Sequence, residues 1–110
     1  MTYLFPAPDF LPAFAPFQLA KGKGYFEDAG LDVTFQVGKG GADVATQVAL
    51  GNADMGGGIG DTPIIVRANG LPVKGVALLG GKALTQIVIR NDADASDMAG
   101  LKGKKIGVMA

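Results

Sequence analysis

The chain has 110 residues, of which 18 are glycine, and 10 basic residues balance 10 acidic ones. It contains no cysteine, histidine or tryptophan. The chain therefore has no thiol nucleophile, no disulfide and no imidazole base, and it lacks the thiolate and imidazole ligands that usually bind zinc. Any metal site would have to be all-oxygen, and we predict no metal, no cofactor and, without a basic run, no nucleic-acid partner.

Hydrophobic residues make up 48% of the chain and charged residues 18%, which is typical of a globular domain with a buried core. No apolar stretch approaches the roughly 18 residues that span a bilayer. The start of the chain lacks the basic-then-apolar pattern of a signal peptide. We therefore expect a soluble segment without an export signal.

The first third of the chain predicts a strand, a helix and a second strand. Residues 1–5 are an apolar run that stops at Pro6, which indicates a buried strand followed by a loop. Pro16 suits the first turn of a helix that runs to about Lys21, and a turn closed by Gly30 follows. Residues 31–37 alternate apolar and polar side chains, which is typical of an edge strand with one buried face.

The middle third repeats this alternation. Residues 42–50 carry one apolar stripe and predict a helix that Gly51 terminates. Residues 53–56 can form a short strand. Thr62 as N-cap and Pro63 as first helical residue then predict a helix to about residue 69.

The last third predicts three more strands and one helical turn: strands at residues 73–79, 85–90 and 104–110, and a turn capped by Ser96 that ends at Leu101. Residues 76–79 are apolar on both faces, so we place strand 73–79 inside the sheet and strand 31–37 at its edge. The order predicts an α/β fold with three layers and a mainly parallel sheet. Because the chain stops within an apolar strand, we expect it to be part of a larger protein.

Three loops follow the predicted strands, at residues 6–12, 38–41 and 57–62. In an open parallel sheet such loops form the ligand crevice, and glycine there lets a ligand approach the backbone N–H groups. Glycine also simply makes strand-to-helix turns, and neither a P-loop, a GxGxxG fingerprint nor a GxSxG elbow is present. We predict no catalytic residues; the candidate ligand-binding residues are Pro8, Asp9, Phe10, Lys39, Gly40, Gly41, Gly60, Asp61 and Thr62.

The two aspartates suggest a ligand chemistry. If Thr62 caps its helix, the carboxylate of Asp61 is free, and Asp9 has a similar position after the first strand. Such carboxylates favour a solute with a donor or cationic nitrogen, beside an anionic group that the N–H groups of residues 38–41 receive. Alternatively, both aspartates only order their loops.

Four blocks of sequence resemble a known family: PFQLAKGKGYFEDAGLDVTF, GGADVATQVALGNADMG, GLPVKGVALL and DMAGLKGKKIGVM. They are similar to the solute-binding proteins of ABC importers, in the group that binds nitrate, alkanesulfonates, taurine and thiamine pyrimidines. The resemblance implies a type II periplasmic binding protein, with two lobes that close on a solute. It places most of lobe one at residues 1–86, a crossover at 87–95 and the first elements of lobe two at 96–110.

The resemblance also implies a function. It predicts a monomeric, non-enzymatic binding component that delivers its solute to an ABC permease of the inner membrane, from the periplasm or as a cell-surface lipoprotein. A pyrimidine-forming synthase of the same fold is the enzyme alternative; it consumes its own histidine, which this chain lacks. The effector domain of a LysR-type regulator is the other alternative, but it should follow a helix-turn-helix segment.

Overall fold

The computed structural model describes residues 1–82, 86–93, 95 and 97–107. The chain forms two compact units, Met1–Leu78 and Leu79–Ala110. In the described part of the chain, no helix has both the length and the apolar character to cross a membrane. The elements are β1 (Thr2–Phe5), a 3₁₀ turn (Pro12–Phe14), α1 (Ala15–Gly22), α2 (Tyr25–Asp28), β2 (Thr34–Val37), α3 (Gly41–Ala49), β3 (Met55–Gly56), α4 (Thr62–Ala68) and a second 3₁₀ turn (Ala99–Leu101).

The first unit is built on a three-stranded parallel sheet with the order β2-β1-β3. In this register Tyr3 stands opposite Phe35 on β2 and Met55 on β3. The structure thus confirms the predicted strand at the start of the chain and the edge position of β2. Because all three strands run in the same direction, their carboxyl ends lie at one edge of the sheet.

The alternation of side chains along β1 divides the core between the two faces of the sheet. Tyr3 and Phe5 form one cluster with Val33, and four aromatic rings pack against it: Phe14, Phe17, Phe26 and Phe35. Leu4 belongs to the cluster on the other face, which contains Val44 of α3, Ala53 and Val48. Helices therefore cover both faces, and burial of a side chain such as Phe5 contributes about 1.5–3 kcal/mol.

The predicted helices are found close to their expected positions. The helix expected from Pro16 is α1, and the turn after it is the short helix α2. The helix α3 ends before Gly51, whose φ of 78° lies in the left-handed region that glycine tolerates best. Gly70, with a φ of 84°, follows α4 in the same way.

The segment at residues 73–79 differs from its prediction. It is irregular, and only Val73 is buried, while the side chain of Val76 is 76% exposed. The predicted interior strand is wrong because β3 pairs over two residues only and offers an added strand almost no edge. The segment is held instead at its start, where the Arg67 Nη1 donates to the carbonyl of Val73 at 2.9 Å.

The second unit shows one helical turn and otherwise irregular backbone in its described residues. Residues 86–90 and 104–107 are not strands, contrary to the prediction. The turn Ala99–Leu101 forms as expected, and Asp97 supports it by accepting a hydrogen bond from the N–H of Gly100 at 2.9 Å. The predicted cap Ser96 lies outside the described residues, as do residues 83–85, 94 and 108–110.

Candidate functional site

The first two loops meet where β1 and β2 end. Two backbone hydrogen bonds join them: the N–H of Gly38 donates to the carbonyl of Phe5 at 2.8 Å, and the N–H of Gly40 donates to that of Pro6 at 3.0 Å. The second loop is thus fixed along the start of the first. This contact follows directly from the parallel pairing of the two strands.

The third loop lies against both of the others. The N–H of Gly57 donates to the carbonyl of Leu4 at 2.9 Å, and a Cβ on Gly57 would lie 3.3 Å from Cδ of Pro6. A Cβ on Gly41, the first residue of α3, would lie 3.0 Å from Oγ1 of Thr62 and 3.6 Å from Cα of Gly58. The three predicted loops therefore form one continuous surface at the carboxyl ends of the strands, which we call the loop edge.

The second loop uses most of its backbone donors internally. Besides Gly38 and Gly40, the N–H of Lys39 is occupied, because it donates to Oδ2 of Asp43 at 2.8 Å. This arrangement differs from the expectation that the N–H groups of residues 38–41 receive an anionic group of the solute. The side chain of Lys39 is exposed and remains a candidate for solute contact.

Asp43, in the first turn of α3, stabilises this loop. It accepts the bond from Lys39, and its Oδ1 accepts a further bond from Nε2 of Gln47 at 3.3 Å. These hydrogen bonds, the backbone one first, lower the pKa of the Asp43 carboxyl below its ordinary value. Asp43 is therefore a structural residue of the loop edge that the sequence did not single out as part of the site.

The start of α4 lies one residue earlier than predicted. Asp61, not Thr62, occupies the N-cap position, and its backbone carbonyl accepts bonds from the N–H groups of Ile64 and Ile65 at 3.0 Å each. The carboxylate of Asp61 makes no capping hydrogen bond and is exposed. It is thus available to a ligand, although not for the reason that the sequence suggested.

Thr62 is half-buried between the second and third loops. Its side chain lies against Gly58 and Gly41, so its main observed role is to pack the two loops together. Gly60, in contrast, is exposed with open space around it.

The first loop presents an aromatic side chain. Phe10 is 80% exposed, and Pro8 beside it is also exposed. Asp9 is half-buried, and its backbone carbonyl accepts a bond from Nε2 of Gln18 on α1 at 3.2 Å. Gln18 therefore fixes this loop, a role that its place on a helix face did not reveal.

The sequence placed Tyr3 only in the core. Its side chain is 9% exposed, but its hydroxyl lies at the loop edge, 2.9 Å from where a Cβ on Gly57 would be. Burial raises the pKa of the Tyr3 phenol above its ordinary value, so the hydroxyl stays protonated at neutral pH. The signal that could have found it is a side chain with a hydroxyl in the buried part of β1, two residues before the strand ends.

A shallow depression of about 310 Å³ lies beside the second loop, between β2 and α3. Its polar side chains bond to one another, since Nδ2 of Asn52 donates to Gln47 at 2.8 Å and Gln47 donates to Asp43. Within the described ranges, no group of three or more His, Cys, Asp or Glu side chains could hold a metal ion.

Comparison with known proteins identifies the family. The model of the "NMT1/THI5 like" family matches residues 11–110. Two curated proteins of Saccharomyces cerevisiae, the 4-amino-5-hydroxymethyl-2-methylpyrimidine phosphate synthases THI11 and THI13, are each 34% identical over 103 residues. These residues are 93% of this chain and 29% of each relative. No solved structure matches the chain significantly.

The chain therefore belongs to the NMT1/THI5-like family. This result confirms the resemblance to the nitrate, sulfonate, taurine and thiamine-pyrimidine group, and it supports a solute-binding or thiamine-pyrimidine-related role. The expectation of a non-enzymatic protein is corrected, because the curated relatives are named as synthases. That expectation relied on the resemblance to importer binding proteins. The absence of histidine, which weighed against a synthase, is a property of a segment that spans 29% of those relatives, too little to decide the chemistry of a whole protein.

Proposed function

We propose that this member of the NMT1/THI5-like family binds an aminopyrimidine of the thiamine-pyrimidine type at its loop edge. The observation that carries the proposal is the 34% identity, over 93% of the chain, with proteins named for a 4-amino-5-hydroxymethyl-2-methylpyrimidine phosphate. The family match covers residues 11–110, which include β2, β3 and the second and third loops of the loop edge, and so it supports a related ligand there.

The side chains at the loop edge suit such a ligand. Phe10 is exposed and can stack on a flat heteroaromatic ring. Asp61 carries an exposed carboxylate without an intramolecular cap bond, and it can accept a charge-assisted hydrogen bond from an amino group. A bare oxyanion such as nitrate would instead meet carboxylates at an unfavourable Coulomb energy.

The wider architecture in this proposal is a type II periplasmic binding protein. The first unit then belongs to lobe one, residues 87–95 are the crossover and residues 96–110 begin lobe two. Support comes from the helices on both faces of a parallel sheet and from the family. In this arrangement a second lobe closes over the loop edge and excludes water from the solute.

One use of the bound pyrimidine is import. The protein would then deliver it, as a monomer in the periplasm or as a cell-surface lipoprotein, to an ABC permease of the inner membrane. The sequence blocks shared with importer binding proteins support this use. A transport assay with the full-length protein, permease and ATPase should show uptake of labelled pyrimidine that depends on all three components.

The second candidate use is synthesis, which the names of the two curated relatives favour. If the full-length protein forms a pyrimidine phosphate, cells that express it, and whose metabolism supplies the precursors, should accumulate that compound relative to cells without the gene, as measured by mass spectrometry. Uptake without product supports import, whereas product without permease-dependent uptake supports synthesis.

Calorimetric titration of the full-length protein tests the shared premise of both uses. The compounds are 4-amino-5-hydroxymethyl-2-methylpyrimidine, its phosphate, taurine, an alkanesulfonate and nitrate. We expect the protein to bind one or both pyrimidines, and to bind taurine, the alkanesulfonate and nitrate much more weakly or not at all. Binding of taurine, the sulfonate or nitrate in place of the pyrimidines would overturn the proposal.

A further inference from the structure

The hydroxyl of Tyr3 lies between the first and third loops. A Cβ on Gly57 would lie 2.9 Å from the hydroxyl oxygen and 3.3 Å from Cδ of Pro6, so glycine is needed at 57 for the hydroxyl to fit between the loops. Pro6 has no N–H, and the N–H of Gly57 is occupied by the carbonyl of Leu4. Of the donors that these three residues have here, the tyrosine hydroxyl is the one left without a protein acceptor.

The ring below the hydroxyl is held rigidly. It packs at 4.6 Å from the ring of Phe17 and at 5.1 Å from that of Phe5, measured between centroids, and at 6.2 Å from Phe35. These contacts come from α1, β1 and β2, so they fix the ring from several directions. The hydroxyl consequently has a defined position and little rotamer entropy to lose when it binds a partner.

The hydroxyl makes no hydrogen bond to any residue that the structure describes, although the Tyr3 side chain is nine-tenths buried. Among the described residues, no buried polar side-chain atom lacks a hydrogen-bond partner, so the unpartnered hydroxyl reaches solvent at its tip. A ligand with a well-placed acceptor can replace water there.

We infer that Tyr3 is a specificity-determining ligand residue, whose hydroxyl donates a hydrogen bond to a ring nitrogen of a bound aminopyrimidine. The inference rests on the proposed function and assigns one contact within that site. The geometry supports this contact because the uncharged O–H donor lies among aromatic rings. Such a donor complements a flat heteroaromatic ring whose nitrogen accepts a hydrogen bond.

The substitution Tyr3→Phe tests this contact, because it removes the hydroxyl and keeps the ring packing. In the full-length protein we expect a 3- to 10-fold weaker affinity for 4-amino-5-hydroxymethyl-2-methylpyrimidine, as for one lost neutral hydrogen bond, and little change in apo Tm. Tyr25→Phe is the matched control. Tyr25 begins α2, after α1 has run back from the loop edge, and is 58% exposed, so its hydroxyl should not affect affinity.

Analogues of the pyrimidine in which CH replaces each ring nitrogen in turn separate a direct contact from a structural role. With one of these analogues, wild type and Tyr3→Phe should bind equally, because the acceptor is gone. If Tyr3→Phe binds the pyrimidine as tightly as wild type, or loses the same factor for every analogue, the inference is wrong and the proposed function stands. If wild type itself binds neither pyrimidine nor analogue, the proposed function fails and the assignment fails with it.

Discussion

Single residues at the loop edge divide into those that hold the loops and those that are free to meet a ligand. Asp43 and Gln18 belong to the first kind, since their polar atoms bond to the loops themselves. Asp61 and Phe10 belong to the second, since both are exposed. Substitutions in the two kinds should therefore change different measurable properties.

Asp61→Asn should weaken binding of the aminopyrimidine and leave folding nearly unchanged. The carboxylate makes no capping bond, so the apo protein loses little, whereas a lost charge-assisted hydrogen bond to an amino group costs about 1.5–3 kcal/mol. Calorimetry and thermal unfolding of the full-length protein measure both effects. Asp28→Asn, at the end of α2, is the control. A large fall in apo Tm with unchanged affinity would make Asp61 a structural residue instead.

Asp43→Asn should destabilise the protein in a pH-dependent manner. Because hydrogen bonds from Lys39 and Gln47 lower the carboxyl pKa in the folded state, the ionised form stabilises the fold above the ordinary value of 3.8. That stabilisation is lost as the pH falls through the lowered pKa of the carboxyl in the folded state. We therefore expect the difference in Tm between wild type and variant to be constant from about pH 7 to pH 5 and to shrink toward pH 2. A difference that grows on acidification would contradict this role.

At the scale of elements, α3 packs on the sheet through a contact that requires glycine. A Cβ on Gly56 of β3 would lie 2.2 Å from Cγ1 of Val44, and one on Gly38 would lie 2.6 Å from its Cγ2. Val44 is 1% exposed and cannot move into solvent. The two glycines thus let α3 approach the strand ends closely and place its first turn at the loop edge.

Gly56→Ala should therefore destabilise the protein by about 1–3 kcal/mol through overpacking, measured by denaturant unfolding. In a Val44→Ala background the added methyl group has space, so the penalty of Gly56→Ala should largely disappear. Gly60→Ala is the control, since nothing lies near its Cβ and the change should stay within about 0.5 kcal/mol. Equal penalties in both backgrounds would show that this contact is not the cause.

The sequence predicted well those elements whose signals are local. The strand β1, the edge strand β2 and the helices α1, α3 and α4 follow from side-chain period and from proline and glycine at their ends. The strand prediction for residues 73–79 was wrong. Apolar character shows that a segment needs burial, but it does not show which strand the segment pairs with, and β3 offers an edge of only two residues. The N-cap of α4 shifted by one residue because the cap is decided by backbone geometry at Asp61 and not by residue type.

The meeting of the three loops was predictable from the sequence, but their detailed contacts were not. Parallel strand direction alone brings the three loops together, and this was expected from the alternation of strands and helices. Which N–H groups the loops use internally, as at Gly38 and Gly40, depends on contacts between distant residues. The position of the Tyr3 hydroxyl depends on such contacts too, since it fits beside Pro6 only because residue 57 is glycine.

At the scale of the whole molecule, the chain covers 29% of each curated relative. In the proposed two-lobe arrangement, the loop edge supplies one wall of the solute site and the other lobe supplies the second. We therefore expect the 110-residue chain alone to bind the aminopyrimidine at least tenfold more weakly than the full-length protein, when both are titrated by calorimetry. Equal affinities would contradict a clamp that closes on its solute.

The central claim is that the loop edge is the ligand site. A crystal structure of the full-length protein with 4-amino-5-hydroxymethyl-2-methylpyrimidine tests it most directly. We expect the pyrimidine ring to contact residues of all three loops, with a ring nitrogen at hydrogen-bond distance from the Tyr3 hydroxyl and the amino group facing the Asp61 carboxylate. A pyrimidine bound elsewhere, with no ligand at these loops, would show that the loop edge is not the ligand site.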